Sequence, residues 1–139
     1  MSKTELEKLL NGSLNLAEKM LADYGEFYPY ATALTINNEI EDLGIWRGND
    51  YPKSKDVVKD LEEYLRKGVR EGSYKATALV LNISMRKDKD NGQQDSILLR
   101  MEHKSGLALD IFKPYQLLQL GKVQYGDIVA SKGKKFFFK

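Results

Sequence analysis

"DSILLRMEHKSGLALDIFKPY", residues 95–115, is the stretch that decides the fold, because its two halves predict a β-hairpin whose register can be derived. Apolar and polar side chains alternate on both sides of the turn residues 104–106, as expected of half-buried strands. A two-residue turn would mix apolar and charged partners on both faces. A three-residue turn with Gly106 in the left-handed region instead pairs Met101 with Leu109. We predict this second register.

The strand expected before the hairpin is YKATALVLNISMR, residues 74–86. We expect its leucines to continue the apolar face of the hairpin, with Leu81 beside Met101. Its alanines then share the other face of the sheet with Arg100 and Glu102. On that face Arg100 lies opposite Asp110, which has the opposite charge, across the hairpin. That face is either exposed to solvent with ordinary ion pairs, which are common and need no function, or a shallow polar groove.

Two helices are predicted outside these strands. Leucines at three- and four-residue spacing indicate an amphipathic helix over residues 3–22, although Gly12 weakens the pattern. A second helix begins after Pro52, with Ser54 as its N-cap, and ends near Gly72. Its charged residues lie on the side opposite its valines and leucines, so one face is available to pack on a sheet.

Short strands complete the predicted fold. Two are expected around Asn37-Asn38, and the segments KVQYGDIVAS, residues 122–131, and KKFFF, residues 134–138, provide the last two. The chain, residues 1–139, is therefore predicted to be a single α+β domain. It has an antiparallel sheet of about five to seven strands with two helices packed on one face.

Composition excludes several kinds of chemistry. The 139 residues include no cysteine, which removes disulfides, thiolate metal sites and cysteine nucleophiles and fits a reducing compartment. The N-terminus lacks the apolar core of a signal peptide, and the longest apolar run, Ala78–Leu81, is far too short to span a bilayer. We therefore expect a cytoplasmic protein with no membrane partner.

The single histidine, His103, limits the enzymology. Histidine-based zinc sites need more imidazoles, and any Ser-His-Asp triad would have to use this residue. The glycine-rich signatures of phosphate-binding loops do not occur, so nucleotide binding has no motif to support it. We expect no metal, no cofactor, and a partly buried structural role for His103.

The segment GEFYPYATAL, residues 25–34, concentrates aromatic rings before the first strand. Pro29 restricts Tyr28 to extended geometry, so successive rings should point in alternating directions. A tyrosine hydroxyl needs a hydrogen bond, whereas a phenylalanine ring does not. We therefore predict Phe27 in the core and Tyr28 and Tyr30 toward a groove or rim. The alternative is that all these rings close one end of the core.

Three functions from different classes remain open. The leading prediction is a non-catalytic protein-binding module of the immunity or accessory type, because tyrosine and tryptophan are enriched at interface hot spots. The second is a small enzyme with a groove near Glu102, His103 and Tyr115, although neighbours on a strand point to opposite faces. The third is weak nucleic-acid binding by the basic segment KGKKFFFK, residues 132–139. A last strand whose charged flanks resist aggregation explains the composition of this segment better.

The expected partner is therefore another protein. Nucleic acid is not expected, a homo-oligomer is an open alternative, and no catalytic residue is assigned. The candidate binding-surface residues are Tyr28, Tyr30, Trp46, Tyr51, Arg100, Glu102, His103, Asp110 and Tyr115.

Three segments, FYPYATAL, LRMEHKSGLALDIFKPY and VQYGDIVASKGKKFFF, resemble a pattern in a family of small uncharacterised bacterial proteins. The resemblance covers most of the chain in order. It implies a bacterial cytosolic domain and no particular activity. The matching positions are Phe27, Tyr28, Pro29, Glu102, His103, Pro114 and Tyr115.

Overall fold

The computed structural model describes residues 2–44, 54–86 and 93–138. Two α-helices, seven strands and one short 3₁₀ turn follow one another along these residues. In chain order they are α1 (Ser2–Tyr24), β1 (Tyr30–Thr35), β2 (Ile40–Leu43), α2 (Ser54–Arg70), β3 (Tyr74–Arg86), β4 (Gln93–His103), β5 (Ala108–Leu117), the 3₁₀ turn (Gln119–Gly121), β6 (Val123–Tyr125) and β7 (Val129–Lys132).

The strands form one antiparallel sheet in the order β2-β1-β3-β4-β5-β6, and β7 pairs with a second part of β5. This confirms the predicted α+β class and the antiparallel sheet. The segment 122–131, expected to be one strand, contains β6 and β7 as two separate short strands. The prediction that segment 134–138 is the last strand is wrong. The pairing with β5 ends with the Gly133 N–H, which donates to the Ala108 carbonyl at 3.0 Å, and the N–H groups of residues 136–138 donate to the Glu102 side chain and not to a strand.

The β4–β5 hairpin has the predicted register. Met101 lies opposite Leu109, and the His103 N–H donates to the Leu107 carbonyl at 2.9 Å to close a three-residue turn. Gly106 takes the expected left-handed conformation, with φ of 101°. The alternation of apolar and polar side chains is sufficient to predict this register, because each strand of the hairpin has one clearly apolar side.

The predicted pairing of β3 with β4, which set Leu81 beside Met101, is wrong by three residues, and an odd shift exchanges the two faces of the strand. Ala78, not a leucine, lies opposite Met101, so the alanines of β3 share the face of Met101. Both faces of β3 are buried: Ala78 is 0% exposed and Leu79, which points the other way, is 2% exposed. The larger side chain therefore does not mark a unique core face, and the register cannot be derived from it.

The two helices lie on opposite faces of the sheet, and not on one face as expected. Leu9 and Leu21 of α1 pack in one cluster with Ala78, whereas Leu65 of α2 packs in a second cluster with Leu79. Ala78 and Leu79 are neighbours in β3, so their side chains point to opposite faces. The placement of both helices on one face is wrong for the same physical reason as the β3–β4 register. A strand that is buried on both faces offers each helix its own apolar surface to cover.

Helix α1 continues through its only glycine without interruption. A Cβ added at Gly12 would meet the Ile40 side chain at 3.7 Å, an ordinary contact distance. The helix covers the centre of the sheet and is fixed at its N-terminal end by Glu5, which contacts side chains of β3 and β4.

Candidate functional site

The aromatic segment before β1 is mostly part of the core. Phe27 is 7% exposed, as predicted, and its ring contacts the Tyr30 ring edge-on at 5.9 Å. The prediction that Tyr30 lies at a rim is wrong, because its hydroxyl donates to the Ser13 carbonyl at 2.5 Å inside the core. Helix α1 thus supplies the hydrogen bond that the hydroxyl needs, and burial raises the pKa of Tyr30. Tyr28 is half-buried.

The other aromatic candidates are Trp46, Tyr51 and Tyr115. Trp46 and Tyr51 lie outside the described residues. Tyr115 is buried on the α1 face, and its hydroxyl donates to the Asn82 amide oxygen at 2.6 Å. Burial raises the pKa of Tyr115.

The groups suggested for an enzyme do not converge. His103 and Tyr115 share the α1 face, but Tyr115 lies opposite Asp95, eight residues before His103 in β4. At about 3.3 Å per residue, that separation is roughly 26 Å. Glu102 points to the α2 face.

His103 is part of a polar cluster between α1 and the hairpin. Its Nδ1 accepts the backbone N–H of Ser105 at 3.0 Å, so Nε2 carries the proton and donates to Glu5 Oε1 at 2.9 Å. The Lys75 ammonium lies 2.8 Å from the other Glu5 oxygen. Hydrogen bonds from Lys75 and then His103 lower the pKa of Glu5 to about 2.

The same cluster contains the residue types of a Ser-His-Glu triad, since Ser105 Oγ lies 3.0 Å from His103 Nδ1. However, Nδ1 has one lone pair, and the backbone N–H of Ser105 already uses it. A general base must have that lone pair free for the nucleophile's proton. We therefore assign the cluster a structural role, which is to join the N-terminal end of α1 to the β4–β5 turn.

On the α2 face, Glu102 holds the C-terminal tail, which we define as residues 133–138. The Glu102 side chain is 3% exposed, and its carboxylate accepts three consecutive backbone N–H groups. The distances are 3.0 Å from Phe136 to Oε2, and 3.0 and 3.2 Å from Phe137 and Phe138 to Oε1. Hydrogen bonds to a charged acceptor are among the strong ones in proteins, so this contact determines where the tail lies.

A groove runs between the tail and the last turn of α2. Its volume is about 640 Å³, and we call it the tail groove. Its lining residues are Arg66, Val69, Arg70, Lys104, Phe136, Phe137 and Phe138. None of these described lining residues is acidic, so three cations stand among apolar and aromatic groups without a carboxylate between them.

Two guanidinium groups lie over rings of the tail at cation–π distance. The Arg66 guanidinium lies 5.8 Å from the centroid of the Phe137 ring, and the Arg100 guanidinium lies 5.9 Å from that of Phe136. A guanidinium held against a ring keeps its N–H edge available for a carboxylate or phosphate, which it can bind through two parallel hydrogen bonds. The tail groove can therefore bind an anionic group together with an apolar one.

Sequence reasoning found part of this site. Arg100, Glu102 and Asp110 were candidates, and they lie under the tail: the Asp110 carboxylate is close to Gly133, where an added Cβ would meet it at 3.1 Å. The contribution of α2 was missed, because residues 66–70 and 136–138 are far apart in sequence. The available signal was the basic, phenylalanine-rich composition of the tail itself.

A second surface feature is the 3₁₀ turn and the end of β5. Leu120 is 94% exposed and has a left-handed backbone, with φ of 61°. Leu117 and Leu118 beside it are each 45% exposed. Exposed apolar residues in such a turn can mark a contact surface, but nothing in the fold indicates what would cover them.

In the residues that the structure describes, no three histidine, aspartate or glutamate side chains are grouped as metal ligands. No helix in the described ranges has the length and apolar character needed to cross a membrane. Comparisons of the chain with protein-family models, with curated proteins and with solved structures find no match. The family resemblance of the aromatic and hairpin segments therefore stays a prediction.

Proposed function

We propose that this α+β domain is a non-catalytic protein-binding module and that the tail groove is its binding surface. The observation that carries the proposal is the lining of the groove, where arginines and phenylalanines stand together without an acidic residue. Arginine and aromatic residues are the types most enriched where protein interfaces gain their affinity.

The groove is fixed before a partner arrives, which favours binding. Glu102 holds one wall through three hydrogen bonds from the tail backbone, and the other wall is the last turn of α2. Arg66 already lies over the Phe137 ring at cation–π distance. Side chains and loops that are ordered in the free protein lose less conformational entropy when a complex forms.

The enzyme alternative has weaker support. A reaction needs an acid or base, a nucleophile or a charge-stabilising group within reach of one substrate. The lining residues of the tail groove are arginine, lysine, valine and phenylalanine, and none of them is an ordinary general base at neutral pH. The carboxylate of Glu102, which lies under the tail, is engaged with three amides of the tail.

Affinity capture from a lysate of the organism that makes the chain tests the proposal. The bait is the native chain, compared with the double variant Arg66→Glu/Arg70→Glu. A matched control, Lys19→Glu/Lys122→Glu, has the same change of charge on exposed residues that do not line the groove. Thermal melts establish that all three fold. We expect one stoichiometric protein to be retained by the native chain and the control and lost by the groove variant. No partner, or equal retention by all three baits, would contradict the proposal.

A further inference from the structure

We propose that the partner contributes an extended acidic segment in which every second residue is aspartate or glutamate. This inference rests on the proposed function, and it names the kind of segment that the tail groove binds. It follows from three properties of the groove: its charge, the spacing of its arginines and the difference between its two walls.

The charge of the groove selects an anion. Arg66, Arg70 and Lys104 line it, and no acidic residue is among its described lining residues. The Glu102 carboxylate keeps its charge, but its oxygens accept N–H groups of the tail, and among the described residues it forms no ion pair with these three cations. Three cations are therefore available to an external ligand, and the volume of about 640 Å³ is much larger than a single inorganic anion needs.

The spacing of the arginines selects an extended chain. Arg66 and Arg70 are four residues apart in α2, so their Cα atoms are about 6 Å apart along the helix axis. In an extended peptide, side chains at positions i and i+2 point to the same side and are about 6.6 Å apart. Two carboxylates separated by one residue can therefore meet both guanidinium groups at once.

The two walls of the groove explain the residue between the carboxylates. In an extended peptide whose acidic side chains face α2, the intervening side chain points to the opposite side. In the tail groove that side is the wall of Phe136, Phe137 and Phe138. An apolar or small residue fits there, so the expected pattern alternates acidic with apolar residues.

Single-stranded nucleic acid also has regularly spaced negative charges, but it binds such surfaces by stacking bases on free aromatic faces. In the tail groove, Phe137 carries Arg66 on one side and packs against the α2 core cluster, and Phe136 carries Arg100. The ring of Phe137 and one face of the Phe136 ring are therefore used within the protein. For this reason we favour a peptide over a nucleic acid.

Fluorescence anisotropy with short labelled probes tests the inference. The first probe is an eight-residue peptide that alternates aspartate with valine or threonine. The second has the same composition with its four aspartates consecutive, and the third is an eight-nucleotide oligothymidylate. The chain is used at full length as the native protein, as Arg66→Glu, as Arg70→Glu and as the control Lys19→Glu.

We expect the alternating peptide to bind at least about tenfold more tightly than the block peptide, since a bidentate arginine–carboxylate pair is among the stronger polar contacts. Each arginine variant should weaken its binding by about tenfold or more, Lys19→Glu should not change it, and added salt should weaken it. Equal binding of the two peptides, or tighter binding of oligothymidylate, would overturn the inference. If a lysate partner is captured through the groove while neither acidic peptide binds, this inference fails and the proposed function stands; if no partner is captured either, both fail.

Discussion

Replacing Glu102 with glutamine should release the C-terminal tail while leaving the rest of the fold intact. The carboxylate has two acceptor oxygens, one for the N–H of Phe136 and one shared by those of Phe137 and Phe138. The glutamine amide has nearly the same shape but only one acceptor. Whichever way it turns, at least one tail N–H faces an NH₂ group, and a buried donor is left without a partner.

The size of the effect follows from the bonds that are lost. A hydrogen bond to a charged group contributes about 1.5–3 kcal/mol, and a neutral one contributes about 0.5–1.5 kcal/mol. Losing one charged bond and weakening two others should therefore cost roughly 3–5 kcal/mol, because the site is 3% exposed and water replaces the lost acceptor poorly. In the described residues, Gly133 provides the tail's single backbone–backbone hydrogen bond to the sheet, so once the bonds to Glu102 are weakened the tail should open locally before the domain unfolds.

Hydrogen exchange resolved by residue measures this opening. At about 1.4 kcal/mol per factor of ten, the tail amides of residues 136–138 should exchange at least roughly 100-fold faster in Glu102→Gln. Amides at the centre of β3 should change much less. The control is Glu26→Gln, which removes the same charge from an exposed residue. Unchanged exchange in the tail, or equal acceleration throughout the chain, would refute the assigned role of Glu102.

Three further predictions concern the core and the polar cluster. Gly68→Ala should destabilise the fold by about 1–3 kcal/mol in urea denaturation, because the new Cβ would lie 2.2 Å from the Tyr74 ring. Gly12→Ala, whose Cβ would meet the Ile40 side chain at an ordinary 3.7 Å, should stabilise the fold by up to about 1 kcal/mol; the same sign for both would contradict the packing. Phe27→Ala should cost about 3–5 kcal/mol by the same measurement, and a loss below about 1 kcal/mol would show that the ring is not part of the core. The Glu5 carboxyl has a pKa of about 2 in the fold against an ordinary 4.5, so its ion pairs should stabilise the fold above pH 4.5 and lose that contribution as the pH falls toward 2. The difference in unfolding midpoint between the native chain and Glu5→Gln should therefore narrow across that range, and a constant difference would argue against the ion pairs.

The elements of the fold could be predicted from local patterns, but the way they stack could not. The two helices and the β4–β5 hairpin follow from side-chain periodicity and from the left-handed glycine of the turn. The pairing of β3 failed because Ala78 and Leu79 are both buried, one under each helix. Periodicity contains no information on which face a helix will cover when a strand is apolar on both sides.

The site was predicted only where a strand pattern defined it. Arg100, Glu102 and Asp110 were placed on one face by the hairpin register, and that face does carry the candidate site. Its other wall comes from α2 and the tail, which meet only in three dimensions. Tyr30 was misplaced for a related reason, because the carbonyl that satisfies its hydroxyl belongs to α1, 17 residues earlier in the chain.

The central claim is that partners bind at the tail groove, and hydrogen exchange of the complex with the captured partner tests it most directly. The account predicts that backbone amides of residues 66–70 and 136–138 become protected when the partner binds, because these segments form the two walls of the groove. Protection confined to the exposed leucines of the 3₁₀ turn or to the β2 edge, with no change at the tail, would contradict it.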